Sequence, residues 1–410
     1  MHLDDDLLTR RASADPYAVL AALREHDPVH WSDAHRAWLL TRYDDVSAAF
    51  QNKALSSDRV RPLREARRSS DATAASDRVL ELLSGWMVVN DPPVHTRLRK
   101  LAGGAFKAQR ISAMGEQITG LVDGLLDGFA GTGDLISAVA YPLPATVIAT
   151  MLGAPVADRD RFRDWSDELA LVAFGTGGTA RADRHERALR GLREMDDYFR
   201  GLIALRRREP GEDMLTAMMA TDEDGDDRLA DDELVAMCAL LLFAGHETTT
   251  NSIANATLAL LRHPDQLDRL RAEPDLLAPA VEELLRFEGP IKVLNRWVVA
   301  DTEIAGRAIS PGQRVHLVLA SANRDATRFA DPDRLDIGRT PNPHIAFGKG
   351  IHACIGAQLA RMETRIALGR IVERLPGLRL AGEPEWKDSL ASRSLAALPV
   401  EHRAGQAAAV

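Results

Sequence analysis

The run Phe347-Gly348-Lys349-Gly350-Ile351-His352-Ala353-Cys354-Ile355-Gly356 sets one cysteine among glycines, directly ahead of a helical pattern from Ala357 to about Leu375. At a helix entrance, free N–H groups and the positive end of the dipole favour an anion. That setting is expected to lower the Cys354 thiol pKa and offer a thiolate as metal ligand. Gly348, Gly350 and Gly356 would let the backbone approach a flat, bulky object closely. His352 could donate a hydrogen bond to an acid group on it. A second candidate is Ala244-Gly245-His246-Glu247-Thr248, where small residues precede an acid and an alcohol. Thr248 can return its hydroxyl to the carbonyl of Ala244 and open the helix locally. Ala244 and Gly245 leave room for a diatomic ligand. A third is His95 and Arg99, four apart after Asp91-Pro92-Pro93, which share a helix face and could hold a carboxylate.

The chain around these residues has 410 residues, 45% of them hydrophobic, enough for a sizeable core. A net charge of −9 argues against nucleic acid as a partner. Cys238 and Cys354 are the only cysteines, which is no disulfide framework and suits a reducing cytoplasm. The acidic N-terminus has no signal-peptide pattern, and no apolar run reaches the roughly 20 residues of a membrane helix. A cytoplasmic protein without membrane contact is expected.

The elements that must position the candidates read mostly as helices. Patterns cover 16–26, 44–50, 112–130, 143–152, 158–173, 181–208, 264–272 and 274–287. The longest, 231–261, spans about 45 Å and is apolar on all sides from Leu234 to Ala244, which predicts burial at the centre. Short strands are expected at 37–41, 291–299, around 304, at 314–319 and at 395–400. The arginine-rich stretch 59–78 reads as an exposed, solvated segment. Gly175-Thr176-Gly177-Gly178 reads as a hinge between two helices, and 222–232 as an acidic turn. Lys292 is read either as exposed on its strand or as an anchor for an acidic substrate, the exposed reading being favoured. His246 is expected on the far side of the central helix.

The order Phe, Gly, Gly, His, Cys, Gly in 347–356 resembles the haem-ligand loop of the cytochrome P450 family, bacterial soluble class. The other motifs follow in the expected order, and the resemblance runs from about residue 16 to 400. It implies a mainly α, single-domain cytochrome P450 fold (1–410), helix-rich with a small β-rich lobe, with loosely ordered ends at 1–15 and 401–410. Haem b would lie between the long central helix and the cysteine loop. Cys354 would be the axial thiolate, which favours O–O cleavage. Ala244, Gly245, Phe347, Gly348 and Gly356 would border the cofactor, and His95, Arg99, Arg296 and His352 would hold its propionates. Thr248 and Glu247 would relay protons in dioxygen activation.

The resemblance also implies a structural network of Glu283, Arg286 and, from a later loop, Arg334. Trp86, Leu240, Ala244, Val293, Leu294 and Leu395 are the pocket candidates, Trp86 being either a core aromatic or a lid. The implied activity is monooxygenation of a hydrophobic small molecule of terpenoid, steroid, fatty acyl or polyketide type. No flavin or ferredoxin segment is present, so electrons are expected from a separate ferredoxin and its NAD(P)H reductase. That ferredoxin would dock on Lys100, Lys107, Arg110, Lys349 and Arg361 of a monomeric enzyme. Two rivals stand beside this reading. A peroxide-driven peroxygenase would not need the acid–alcohol pair, and a haem sensor would not turn over.

Overall fold

A computed structural model describes residues 5–7, 10–67, 74–129, 131–173, 183–220 and 227–402. The expected hinge at 175–178 lies outside them, as do 222–226 of the acidic turn and the outermost ends. The part of the N-terminal end that is described packs tightly: Leu7 is fully buried with Leu20, Leu23 and Leu39. An apolar side chain with a core to enter does not stay loose.

The helices that matter for the site are α1 (Val94–Gly103), α2 (Pro142–Met151), α3 (Arg159–Ala173), α4 (Arg184–Arg208), α5 (Asp231–Arg262), α6 (Leu277–Glu288) and α7 (Ala357–Arg374). The 32-residue α5 packs against α2, α4, α6 and α7. Its all-round apolar sequence requires such an environment. Gly245 lets α2 come close: a Cβ there would sit 3.1 Å from the Ile148 side chain. The N-terminus of α5 is fixed by Arg97 of α1, whose guanidinium bonds Asp227 at 2.6 Å and Glu233 at 2.5 Å. Despite Gly245 and three threonines, α5 stays a continuous α-helix, so the expected local opening is not seen.

The β-lobe is a five-stranded sheet of β1 (Val29–Ser32), β2 (Ala37–Leu40), β3 (Leu55–Ser56), β4 (Val293–Val298) and β5 (Arg314–Val318). Its order is β1-β2-β5-β4-β3, with β2 and β5 parallel and the other pairs antiparallel. The expected strand at 395–400 is two, β7 (Leu395–Ala397), paired with β6 (Glu385–Trp386), and β8 (Pro399–His402). Where it is described, the stretch 59–78 exposes Arg61, Arg64 and Arg78 as expected, while Arg59 is half-buried. The stretch forms helices over Val60–Arg67 and Ala74–Ser84.

Candidate active site

Between Leu234 and Leu260 of α5, Ala244 is the one exposed residue. In a helix otherwise enclosed by protein, that exposure is a window onto an internal cavity. Thr248, one turn on, donates its hydroxyl to the Ala244 carbonyl at 2.9 Å, leaving its oxygen as an acceptor. Glu247 is nearly buried and accepts from the Asn251 amide at 3.4 Å. His246 points the other way, with Nδ1 2.7 Å from the Leu242 carbonyl and its ring edge-on to Tyr141.

The cysteine loop is shaped by its glycines where they adopt positive φ, Gly348 at +68° and Gly350 at +72°. A Cβ at Gly350 would come 3.2 Å from the Phe50 carbonyl. The Cys354 N–H donates to the Phe347 carbonyl at 2.9 Å, closing the loop before α7 begins. Cys354 itself is exposed. The thiol pKa is raised, not lowered as expected. Desolvation by the surrounding protein outweighs the Gly356 N–H and the guanidiniums of Arg99 and Arg361.

Around this loop gathers a positive cluster. Arg99 donates to the carbonyl of Ala353, the residue before Cys354, at 2.7 Å, tying α1 to the loop. His95 and His352 lie with ring centroids 4.0 Å apart. Both nitrogens of His95 and Nε2 of His352 are buried without a hydrogen-bond partner among the described residues. Burial, then His95 and Arg296, hold the His352 pKa down to about 3. Arg296 of β4 is buried, bonds only the Asn295 carbonyl at 2.9 Å among the described residues, and lies 5.7 Å over the Phe50 ring. Burial, then neighbouring Arg59, lower its pKa to about 10. The nearby anion, Asp91, accepts from the Ser56 hydroxyl and the Ser57 N–H. Buried polar atoms left open and guanidiniums left uncompensated are unstable unless an anion completes them. Beside an open cysteine and an apolar helix window, that anion fits the carboxylates of a haem.

Relatives decide the family. A family model described as Cytochrome P450 matches residues 182–376. Cytochrome P450 107B1 of Saccharopolyspora erythraea is 44% identical over 372 residues, 89% of each chain. Cytochrome P450 monooxygenase PikC of Streptomyces venezuelae is 40% identical, covering 99% of this chain and 95% of that one. Vitamin D(3) 25-hydroxylase of Pseudonocardia autotrophica is 41% identical, covering 96% of each. Among solved structures, P450BioI in complex with an acyl carrier protein ligated to hexadec-9Z-enoic acid superposes with a TM-score of 0.87 at 35% identity, covering 95% of this chain and 99% of that one.

This chain belongs to the cytochrome P450 family.

It has the cytochrome P450 fold and is a haem-thiolate monooxygenase of hydrophobic small molecules, supplied with electrons by redox partners. The other expected site residues of this P450 fall unevenly. Phe347 packs with the α6 core and receives the Arg361 guanidinium 4.3 Å over its ring. Gly245 meets α2 rather than the cavity. Leu294 is half-buried, whereas Val293 is enclosed with Leu7 and Leu20. Leu240 and Leu395 lie in the main core, and so does Trp86, stacked 5.6 Å from Phe243.

Three expectations need correction. Arg334 is exposed and gives the buried network only its carbonyl. The side chain that completes Glu283 and Arg286 is Arg339, at 3.0 and 3.1 Å from the carboxylate. Arg361 is not an open docking charge, because it forms a two-bond pair with Glu282 at 2.7 and 2.8 Å. Lys292 is not exposed but fully buried, its ammonium 3.4 Å from the Leu7 carbonyl. Sequence reasoning also missed Arg59 and Phe50. An arginine one residue before a helix start, next to the strand that pairs with β4, was the available signal for Arg59.

Proposed function

We propose that this P450 oxidises a large apolar natural-product scaffold, polyketide or steroid in kind, using haem b and electrons from a ferredoxin and its NAD(P)H reductase. The observation that carries the reading is the unanswered positive cluster of His95, Arg99, Arg296 and His352 beside Cys354 and the Ala244 window. The name of the vitamin D(3) 25-hydroxylase favours a bulky alicyclic substrate over a small one. Half-buried Leu294 and exposed Ala244 give the cavity an apolar rim.

Each residue has a role in this reading. Cys354 is the thiolate ligand, and the arginines and histidines, Arg59 among them, hold the two cofactor carboxylates. Haem bound there supplies the redox-active iron that activates dioxygen. Thr248 accepts a hydrogen bond at Oγ1 and so holds a water at the window. Glu247 supplies protons to that water from the buried side of α5. A single domain acting as a cytoplasmic monomer completes the proposal. Two free cysteines and no described helix long and apolar enough to cross a membrane support it.

The test is the spectrum of the reduced protein with carbon monoxide, for wild type and Cys354→Ala. A strongly red-shifted Soret band that the variant lacks is expected. A band like that of a histidine-ligated globin in the wild type overturns the assignment of Cys354. Titration with testosterone, a macrolide aglycone and myristic acid then reads the ferric spin state. A response to myristic acid alone overturns the substrate class.

A further inference from the structure

The acid of the central helix is held from one side by a row of buried polar groups. The Asn251 amide nitrogen donates to Glu247 Oε1 at 3.4 Å and to Ser394 Oγ at 2.9 Å. Ser394 Oγ donates to Ser392 Oγ at 2.9 Å, and Ser392 Oγ to Ser389 Oγ at 2.8 Å. Asn251 and all three serines are buried. The serine hydroxyls all donate away from Glu247, and the link that reaches the acid is an amide, whose N–H does not pass protons. The row therefore fixes geometry and conducts nothing.

Protons have another side to come from. Lys387, at the start of the same loop, is half-buried, with its ammonium 3.2 Å from Asp167 of α3 and its N–H on the Ser394 carbonyl at 2.9 Å. Burial works against its charge, but the carboxylates of Glu247 and Asp167 outweigh that and hold its pKa above the usual value. His246 is turned to Leu242 and Tyr141, and Arg163 of α3 opposes the Lys387 charge.

We infer that Asn251 is a positioning residue for the Glu247 carboxylate, and that Ser394 of the 387–394 loop sets Asn251. Without the Ser394 acceptor the amide can rotate, and Glu247 loses its fixed donor. It then turns toward Lys387 and away from the water at Thr248. The inference rests on Glu247 being the proton source proposed above.

The experiment needs no identified substrate. Holoenzyme is driven by NADPH through a surrogate ferredoxin and reductase with no organic compound added. Oxygen then leaves as peroxide, consuming one NADPH and one proton from the medium, or as two waters, consuming two NADPH and two protons from the medium. Slower protonation raises the peroxide share. Ser394→Ala and Asn251→Ala are expected to raise peroxide formed per NADPH roughly twofold or more, the scale of one lost hydrogen bond. Ser394→Thr, which keeps the acceptor, restores the wild-type ratio. In a Glu247→Gln background, Ser394→Ala adds nothing.

A Ser394→Ala protein with a normal carbon monoxide band and the wild-type ratio overturns the inference. So does an effect of Ser394→Ala that persists at full size in Glu247→Gln. If Glu247→Gln itself leaves the ratio unchanged, the reading of Glu247 fails first, and this inference with it. Ser394 lies outside the helix, so its variant decides the matter even if Asn251→Ala does not take up haem.

Discussion

Two clusters of buried arginine differ in what answers their charge. In the first, Arg286 grips both oxygens of Glu283 at 2.7 and 2.8 Å, and Arg339 binds the same pair from another side. The Asp336 N–H and the Asn342 amide also donate to Glu283, and the remaining Arg286 hydrogens reach the Asn323 and Pro332 carbonyls. In the second, among the described residues, Arg296 and Arg99 each donate to a single backbone carbonyl, and the two neighbouring histidines bury nitrogens without a hydrogen-bond partner. Folding alone closes the first cluster. The second is left short of negative charge by about the two carboxylates a haem would bring. On the reading proposed above, the first serves stability and the second binding, although both are basic and supplied by a strand or helix and a later loop.

The largest expected effect breaks the first cluster. Glu283→Ala leaves Arg286 and Arg339 facing each other without an anion, at a cost of about 3–5 kcal/mol. Denaturant unfolding of the haem-free protein should show this loss in full. A Glu283→Ala protein as stable as wild type would erase the distinction drawn here. The second cluster should respond with the opposite sign. Arg296→Gln removes a buried cation that the haem-free fold does not compensate, so the haem-free protein should unfold no earlier than wild type. Haem transfer to apomyoglobin should meanwhile speed up roughly tenfold or more, the scale of a lost charge-assisted hydrogen bond. Arg59→Gln should do the same to a smaller degree. An Arg296→Gln protein that loses stability before haem is added would place Arg296 with the structural arginines.

What the sequence reveals follows the reach of each argument. The cysteine loop is legible because its glycines, histidine and cysteine act within ten residues, and the α5 window because the small Ala244 and Gly245 precede an acid and an alcohol. Glu283 and Arg286 are legible as a pair because helix spacing puts them together. Their third partner is not, since choosing Arg339 over Arg334 depends on how a loop some fifty residues away folds back. Arg59 was hidden by its neighbours, because a charge run reads as solvated even when its first member turns inward. The Cys354 thiol misled for a similar reason. A helix entrance is visible in sequence, whereas the desolvation that outweighs it comes from packing.

Lys292 sharpens the comparison as a buried cation that forms no ion pair among the described residues and has only the more distant Asp388 charge set against its burial. Burial, then Arg393, lower its pKa from 10.5 to about 7. Below about 7 both folded and unfolded chains carry the proton, and the folded chain bears the cost of the buried charge. Between about 7 and 10.5 the unfolded chain binds the proton and the folded one does not, so stability rises with pH across that window. Lys292→Met removes the cost. It should raise the melting temperature most below pH about 7, by the equivalent of about 1–2 kcal/mol once relaxation is allowed for, with the gain fading toward 10.5. A gain that does not change with pH would mean that the methionine helps by packing and not by removing charge.

The smallest expected effect divides the surface charges in the same way. Arg361 is committed: its two bonds to Glu282, which also faces His344 at 3.0 Å, brace Phe347 at the start of the cysteine loop. Lys349 is exposed at the tip of that loop beside Ile351, which is 51% exposed, and bonds only the Ser47 hydroxyl at 2.8 Å among the described residues. If an acidic ferredoxin docks on this face, Lys349→Glu should slow ferredoxin-driven reduction a few-fold at low ionic strength. The difference should vanish at high salt, because exposed charges steer encounter and are screened. Arg361→Ala should instead change reduction by the same factor at every salt concentration, since it acts through the loop that carries Cys354. If Lys349→Glu were salt-independent and Arg361→Ala salt-dependent, Arg361 would exchange Glu282 for the ferredoxin when the two proteins meet. Its pairing in the free enzyme would then be a resting state that docking opens.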